Sequence, residues 1–389
     1  MLLSAQLMVS AVASTPDCYF GLHLHPGFEN LTTLVDPEIK SRLLDLVHDI
    51  PLNRTAWVDH PSSLFTRQGA VDWHDAWTQN LPDFSRTIER DVAANWRSAS
   101  TASMDTYTFD YEPHYRPWWD ADAPTFSKPW IALLAEVHNS SMDVRWLQMV
   151  GATNLSSAAN WKALGAAQQG FLASASWSYV VQTYLTAAMQ ATRQALPAGV
   201  RFGNWNWPFK CGKSCADNVT ASQAHERQVR SVDWLWREVS VFFPDVYPEA
   251  YAGPPASRPP GLPARCDNWT AADASSYYEW NANFTLRLRD ELGLDGNVSV
   301  LLYAWYHYMC AQKGPIVQGS VPFTLDANVA ALFGAAAATG VDGIVIWGSV
   351  GTFGYEDHEV ATVARVLNSP PWSRAILQYC RPAAQAKRA

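Results

Sequence analysis

The chain is short of positive charge: 28 Lys and Arg against 36 Asp and Glu leave a formal net charge of −8. Nucleic acid is therefore not an expected partner, because a basic face is the footprint such ligands require. The same balance disfavours acidic polysaccharide over the surface as a whole. Arg116, Arg201, Lys210 and Lys213 nevertheless stand beside the motifs described below and can make a groove locally basic. Long apolar runs are missing after the N-terminus, so no membrane span is expected, and the tail CRPAAQAKRA is too polar for a lipid-anchor signal. Metal and cofactor motifs are missing too. DHEVAT has no second His, and the Cys211/Cys215 pair has no second Cys or His pair to complete a zinc site. GKS at 212–214 lacks the upstream Gly of a phosphate loop, and WGSVG carries Trp347 where a nucleophile elbow needs Gly. No metal or cofactor is expected.

The first 13 residues, MLLSAQLMVSAVA, read as a secretory signal without a basic n-region; Ala11 and Ala13 are the small residues a cleavage site wants. N-x-S/T sequons at Asn30, Asn53, Asn139, Asn154, Asn218, Asn268, Asn283 and Asn297 agree with that route. The 6 cysteines form an even set, as disulfides in an oxidising compartment require, and Cys211 and Cys215 are close enough for a small loop. A secreted or lysosomal protein is expected.

What is present is apolar and aromatic. With 48% hydrophobic residues over 389 positions the chain can bury a large core, and α/β barrels often run this long as one domain. The 19 Trp exceed ordinary usage; most are expected in the core and a few along a groove, since pyranose faces are apolar and stack on rings. Strand-like segments at 55–60, 106–109, 201–208, 245–247, 298–308 and 343–349 alternate with helical patterns. The helices are expected at 85–96 (capped by Ser85), 160–196 (closed by Pro197 and Gly199), 233–239, 277–292, 325–339 and 357–367. Residues 14–50 carry no clear pattern beyond a short possible strand around His23 and His25, for which a structural role is expected. The segment 252–275 reads as a Pro- and Gly-rich surface loop. Alternating β and α with apolar strands implies a parallel sheet. With no phosphate loop after the first strand, the pattern predicts an α/β fold: a distorted (β/α) TIM-like barrel, a single domain over 14–380, followed by a disordered tail at 381–389.

In such a barrel chemistry gathers at the carboxyl ends of the strands. Those ends read Asp110/Glu112, Asn204 to Trp207, Tyr247, Tyr303/Trp305 and Trp347/Ser349. Asp110 and Glu112, at i and i+2 beyond the strand TYTF, point to one side. Two neighbouring acids cannot both ionise cheaply, so one keeps its proton, as an acid that protonates a departing sugar oxygen must. D-x-E alone is a weak pattern, and a structural ion pair with Arg116 is the competing reading; for Trp205, Tyr247 and Trp347 it is core packing, and for Ser349 a strand-end cap.

From about residue 80 to Cys380 the chain resembles the animal and venom hyaluronidases, glycoside hydrolases with a distorted (β/α) barrel. The resemblance rests on ordered blocks: LPDFSRTIERDV, FDYEPHYRPWW, QGFLASASW, FGNWNWPFKC, VDWLWREVSVFFPDVY, VLLY and GIVIWGS. FDYEPHYRPWW is similar to the family's D-x-E-x-W-R-P signature with one residue inserted before Arg116. The resemblance implies cleavage of hyaluronan, and often chondroitin, at the N-acetylhexosamine linkage with retention. Glu112 would be the general acid/base, Asp110 would orient the acetamido group, and the substrate's own N-acetyl oxygen would be the nucleophile. Trp205, Tyr247, Tyr303, Trp347, Ser349 and Arg116 would contact the substrate. Departures are visible. Trp205 stands where the family has a Tyr that hydrogen-bonds the acetamido group, and an indole N–H donates one bond without phenolic geometry. His114 follows the acid at close range. The family's last-helix cysteine is replaced near His358, so its long-range disulfide is not expected in the usual form. The small disulfide-rich domain of some relatives is not expected after Cys380.

Overall fold

Buried strands that are apolar on both faces suit a parallel sheet wrapped by helices. The computed structural model describes residues 15–23, 34–49, 81–99, 105–109, 165–252, 264–266, 269–305, 326–347 and 359–382. The unassigned N-terminal stretch supplies strand β1 (Asp17–His23), helix α1 (Pro37–Lys40) and strand β2 (Leu43–Asp49). Then follow α2 (Leu81–Ala99), β3 (Thr106–Phe109), α3 (Ala166–Ala195) and β4 (Arg201–Asn204). Short helices α4 (Lys213–Asp217), α5 (Val219–Arg230) and α6 (Asp233–Trp236) lead to β5 (Val241–Phe242). Helix α7 (Ala271–Glu291), β6 (Ser299–Trp305), α8 (Asp326–Thr339), β7 (Gly343–Trp347), α9 (Glu359–Asn368) and α10 (Pro370–Tyr379) complete the order.

Several expectations need correcting. Ser85 lies inside α2, not at its cap; the helix starts at Leu81 because Pro82 suits a first turn, where its missing N–H is not needed. The strand expected at 245–247 lies at Val241–Phe242, and Asp245 keeps only an isolated bridge to Tyr303. Pro244, which has no N–H to donate, interrupts the ladder between them. The helix expected at 233–239 stops at Trp236. Helix α7 starts at Ala271, earlier than expected, because Thr270 and Asp273 form a reciprocal capping box. A further helix, α10, follows the one expected last, starting on Pro370. The strand candidate at 55–60 and the signal at 1–13 lie outside the described residues.

The seven strands form one parallel sheet in the order β4-β3-β2-β1-β7-β6-β5. Its two ends meet. Ser240 N–H donates to the Phe202 carbonyl at 2.9 Å, Phe243 N–H donates to the Trp207 carbonyl at 2.6 Å, and Trp205 pairs in parallel with Phe243. The sheet therefore curls back on itself as a barrel. Close approach at this seam requires glycine: a Cβ on Gly203 would lie 2.1 Å from the Val241 carbonyl oxygen. At the β1–β7 contact a Cβ on Gly343 would lie 2.4 Å from the Asp17 carbonyl oxygen.

The amino-terminal mouth of the barrel is plugged by Arg201. Its guanidinium donates to Tyr19 Oη at 2.6 Å on β1, Thr106 Oγ1 at 3.0 Å on β3 and Ser299 Oγ at 2.9 Å on β6. Burial pushes the Tyr19 phenol up to about 12, so it remains a neutral acceptor for that charge. Arg201 thus sits at the opposite end of the strands from their carboxyl ends. The ends of the chain are stitched together as well. Cys18 on β1 is bonded to Cys380 after α10, a sequence separation of 362, and Arg381 N–H donates to the Pro16 carbonyl at 3.1 Å. A crosslink spanning that much chain restrains the unfolded state by up to about 5 kcal/mol. A long-range disulfide is thus present, made at the end of α10, while His358 lies outside the described residues. Cys211–Cys215 forms the expected small loop, and Cys266 is also disulfide-bonded. No helix among the described residues is long and apolar enough to cross a membrane.

Candidate functional site

The carboxyl ends of β4 to β7 bring their aromatic residues into one cluster. Tyr247, on the segment after β5, is its hub. The Tyr247 ring stacks on Trp347 at the end of β7, with centroids 5.7 Å apart and planes 7° apart. It also meets Trp305 at 5.5 Å and Tyr303 at 6.5 Å, both on β6, and Trp205 just past β4 at 5.8 Å. Trp305 and Trp347 are register partners across β6 and β7, with rings 5.2 Å apart. Edge and offset ring contacts at these separations add to the burial that holds such a layer together.

Local backbone chemistry aims the β4 end. Asn204 is buried and its side-chain amide donates to the Trp205 carbonyl at 2.7 Å, turning the chain out of the strand. Asn206 then takes the left-handed conformation (φ 60°), which Asn tolerates better than most residues, and the Trp207–Pro208 bond is cis. Trp205 is left toward Tyr247 while Trp207 is buried edge-on to Trp236. The indole N–H of Trp205 is buried with no hydrogen-bond partner among the described residues. An unpaired buried donor is costly, and it is a group a ligand oxygen would satisfy.

Of the residues singled out in the sequence, Trp205, Tyr247, Tyr303 and Trp347 are brought together. Tyr303 is fully buried, with Phe243 edge-on against it, and Tyr247, Trp205 and Trp305 are buried too, so these rings back the layer; of the five, Trp347 keeps partial exposure. Strand β3 ends at Phe109, the residue before Asp110 in sequence. Asp110, Glu112, Arg116 and Ser349 lie outside the described residues. The locally basic groove is not supplied by the other cations. Arg201 is at the far mouth; Lys213 pairs with Asp217 and with Asp273 at 3.1 Å; Lys210 pairs with Asp245 at 3.1 Å and Glu249 at 3.9 Å.

The structure adds Asp245 and Glu249 to the site and joins to it Trp305 and Lys210, named in the sequence as a strand-end aromatic and a groove cation. Tyr303 and Trp305, at i and i+2 on one strand, already announced a shared face; nothing in the sequence paired Lys210 with Asp245. Burial pushes the Asp245 carboxyl up, opposed by Lys210 and by the Tyr247 N–H it accepts at 2.8 Å. Burial raises Glu249 as well, again opposed by Lys210. Carboxyls raised in the folded state favour folding below their unfolded values, and that contribution is lost as pH rises through the folded values. Glu249→Gln is therefore expected to raise the melting temperature at about pH 7, with the gain vanishing near about pH 4 where Glu249 is protonated. An equal gain at both pH values would show that charge is not the cause.

No protein-family profile matches the chain, and no curated protein sequence matches it. Solved structures do. Bee venom hyaluronidase is similar at 15% identity with a TM-score of 0.54, the alignment covering 78% of this chain and 80% of that one. The structure of bee venom hyaluronidase in complex with a hyaluronic acid tetramer is similar at 15% identity and a TM-score of 0.55, covering 78% of each chain. At this identity the likeness shows the fold: the chain is an α/β protein with a hyaluronidase-like barrel.

Proposed function

We propose that this protein is a secreted, N-glycosylated endo-β-N-acetylhexosaminidase that hydrolyses hyaluronan, and chondroitin as a second substrate. The observation that carries the reading is the Tyr247, Trp347, Trp305 and Trp205 cluster at the carboxyl ends of the strands. It occurs in a fold whose similar structures include one holding a hyaluronic acid tetramer. The partly exposed Trp347 ring, backed by Tyr247, suits the apolar face of a pyranose, and β3 ends at Phe109, the residue before Asp110 in sequence.

In the proposed reaction Glu112 enters as the carboxylic acid and protonates the glycosidic oxygen as the bond to the anomeric carbon breaks. The substrate's acetamido oxygen forms a new bond to that carbon, and Asp110 accepts from the acetamido N–H to orient and stabilise it. Water then gives a proton to the Glu112 carboxylate and opens the cyclic intermediate from the opposite face, giving net retention. No second protein nucleophile is required, unlike the usual retaining pair. Arg116, Ser349 and the Trp347 ring would hold the polymer in the groove.

The end group tests the reading. Hyaluronan digested by the secreted protein should yield oligosaccharides with N-acetylhexosamine at each new reducing end, and unsulfated chondroitin should yield the same end group more slowly. Uronate at the new ends, or cleavage of neither polymer, would overturn it. Trp205 supports a second reading, a glycan-binding protein without turnover, because its indole cannot reproduce a phenol's hydrogen bonding. That reading expects polymer bound and recovered uncut.

A further inference from the structure

We propose that Lys210 and Asp245 are positioning residues that hold the Tyr247 ring in the substrate layer: Lys210 keeps the buried Asp245 carboxylate in place to accept the Tyr247 N–H. The inference rests on the proposed function for its consequence and on geometry for its mechanism. Lys210 stands on the loop after β4, and Asp245 on the segment after β5. Their 3.1 Å ion pair crosses the seam above the Ser240 to Phe202 hydrogen bond that closes it lower down. The Lys210 side chain is 17% exposed and that of Asp245 is 3% exposed, so neither charge can be satisfied by water alone.

Both ends of the pair are fixed by their own neighbours. The chain at Lys210 is held next door, where Asn281 on α7 accepts from Cys211 N–H at 2.9 Å and donates to the Cys211 carbonyl at 3.0 Å. Asp245 is held by the ladder to β6, in which Val246 N–H donates to the Tyr303 carbonyl at 2.8 Å. Asp245 uses its two oxygens differently. Oδ2 takes the ammonium, and Oδ1 accepts the backbone N–H of Tyr247 at 2.8 Å. The ammonium also lies 5.5 Å from the Tyr247 ring centroid, on a ring already stacked on Trp347. Without Lys210, the buried carboxylate loses its counter-charge and is drawn toward water. That swing withdraws Oδ1 from the Tyr247 N–H and lets the ring leave the stack. Lys210 therefore acts on the sugar through Tyr247, not by touching it, since its ammonium is already engaged by two carboxylates.

The test compares Lys210→Met with the double variant Lys210→Met/Asp245→Asn, in which a neutral side chain still accepts from the Tyr247 N–H. Lys210→Met should raise KM for hyaluronan oligosaccharide about tenfold, the worth of one displaced ring contact, with kcat changed less than about twofold. It should also weaken the near-ultraviolet circular dichroism of the ligand-free protein, and the double variant should restore both signals. A folded Lys210→Met with unchanged KM and spectrum would overturn the inference, as would a double variant as impaired as the single one. If Lys210→Met does not fold, Asp245→Asn against Asp245→Ala decides whether the acceptor at residue 245 holds the ring: Asn should keep the near-ultraviolet signal and Ala should lose it, whereas equal behaviour overturns the inference. A wild-type protein inert toward hyaluronan would defeat the proposed function instead, and the spectrum would still decide whether the pair holds Tyr247.

Discussion

Gly203→Ala is expected to destabilise the protein by about 3 kcal/mol or more, the upper range for forcing a methyl group into packed structure. The cause is the seam between β4 and β5. A Cβ at this position would lie 2.1 Å from the Val241 carbonyl oxygen and 2.9 Å from the Phe243 ring. A side chain could turn away, but a strand carbonyl can move only by parting the strands. Parting them removes the Ser240 to Phe202 bond and displaces the Trp205–Phe243 pairing that leads to the aromatic layer. The matched control is Gly334→Ala on α8, where an added Cβ meets nothing within 4 Å. There the helix should gain about 0.5–1 kcal/mol from reduced backbone freedom. Chemical denaturation of both variants checks the pair. If Gly203→Ala is as stable as wild type, the sheet does not close through this contact.

Parts of this fold are readable from short-range pattern alone. The runs VLLY and GIVIW are apolar, β-branched and bounded by turn residues, so β6 and β7 follow from local chemistry. The long α3 shows its period and its stop before Pro197, and Gly199 takes a positive φ of 88° in the turn that follows, closed by Val200 N–H to the Pro197 carbonyl. Of β1 only a short strand around His23 is legible, and β2 not at all, because their signal is relational. DCYFGLH carries a Gly and a His, and Cys18 and Tyr19 are buried because β1 lies between β2 and β7, where Cys18 faces Leu43 and Ile344. Spacing says nothing about a disulfide whose partners are 362 residues apart, and Cys18–Cys380 is of that kind. The site divides the same way. Aromatic residues at strand ends announce themselves, since Tyr303 and Trp305 alternate on one strand and Trp347 closes another. The Lys210–Asp245 pair depends on two loops meeting across a closed seam, and no local period encodes such a meeting. Three of the four cations considered for a basic groove are engaged elsewhere, because charged groups near a core find carboxylates first.

The second large effect concerns the proposed acid. Replacing Glu112 with Gln keeps the shape of the side chain and its capacity to hydrogen-bond a sugar, but removes the proton it would deliver. General acid–base catalysis contributes about 10²–10⁴-fold, so turnover should fall by that factor while polymer binding, proposed to rest on Trp347 and the rings behind it, persists. Asp110→Asn should act on the same step, since an amide cannot draw the acetamido N–H as a carboxylate does. The measurement that tests this account most directly is release of reducing ends from hyaluronan by the wild-type protein and by Glu112→Gln, across about pH 4 to pH 7, with binding of the polymer measured in parallel. The account predicts release by the wild type, its loss in the variant, and equal binding by both. No release by a folded wild type that binds the polymer, or release that survives in Glu112→Gln, would contradict it.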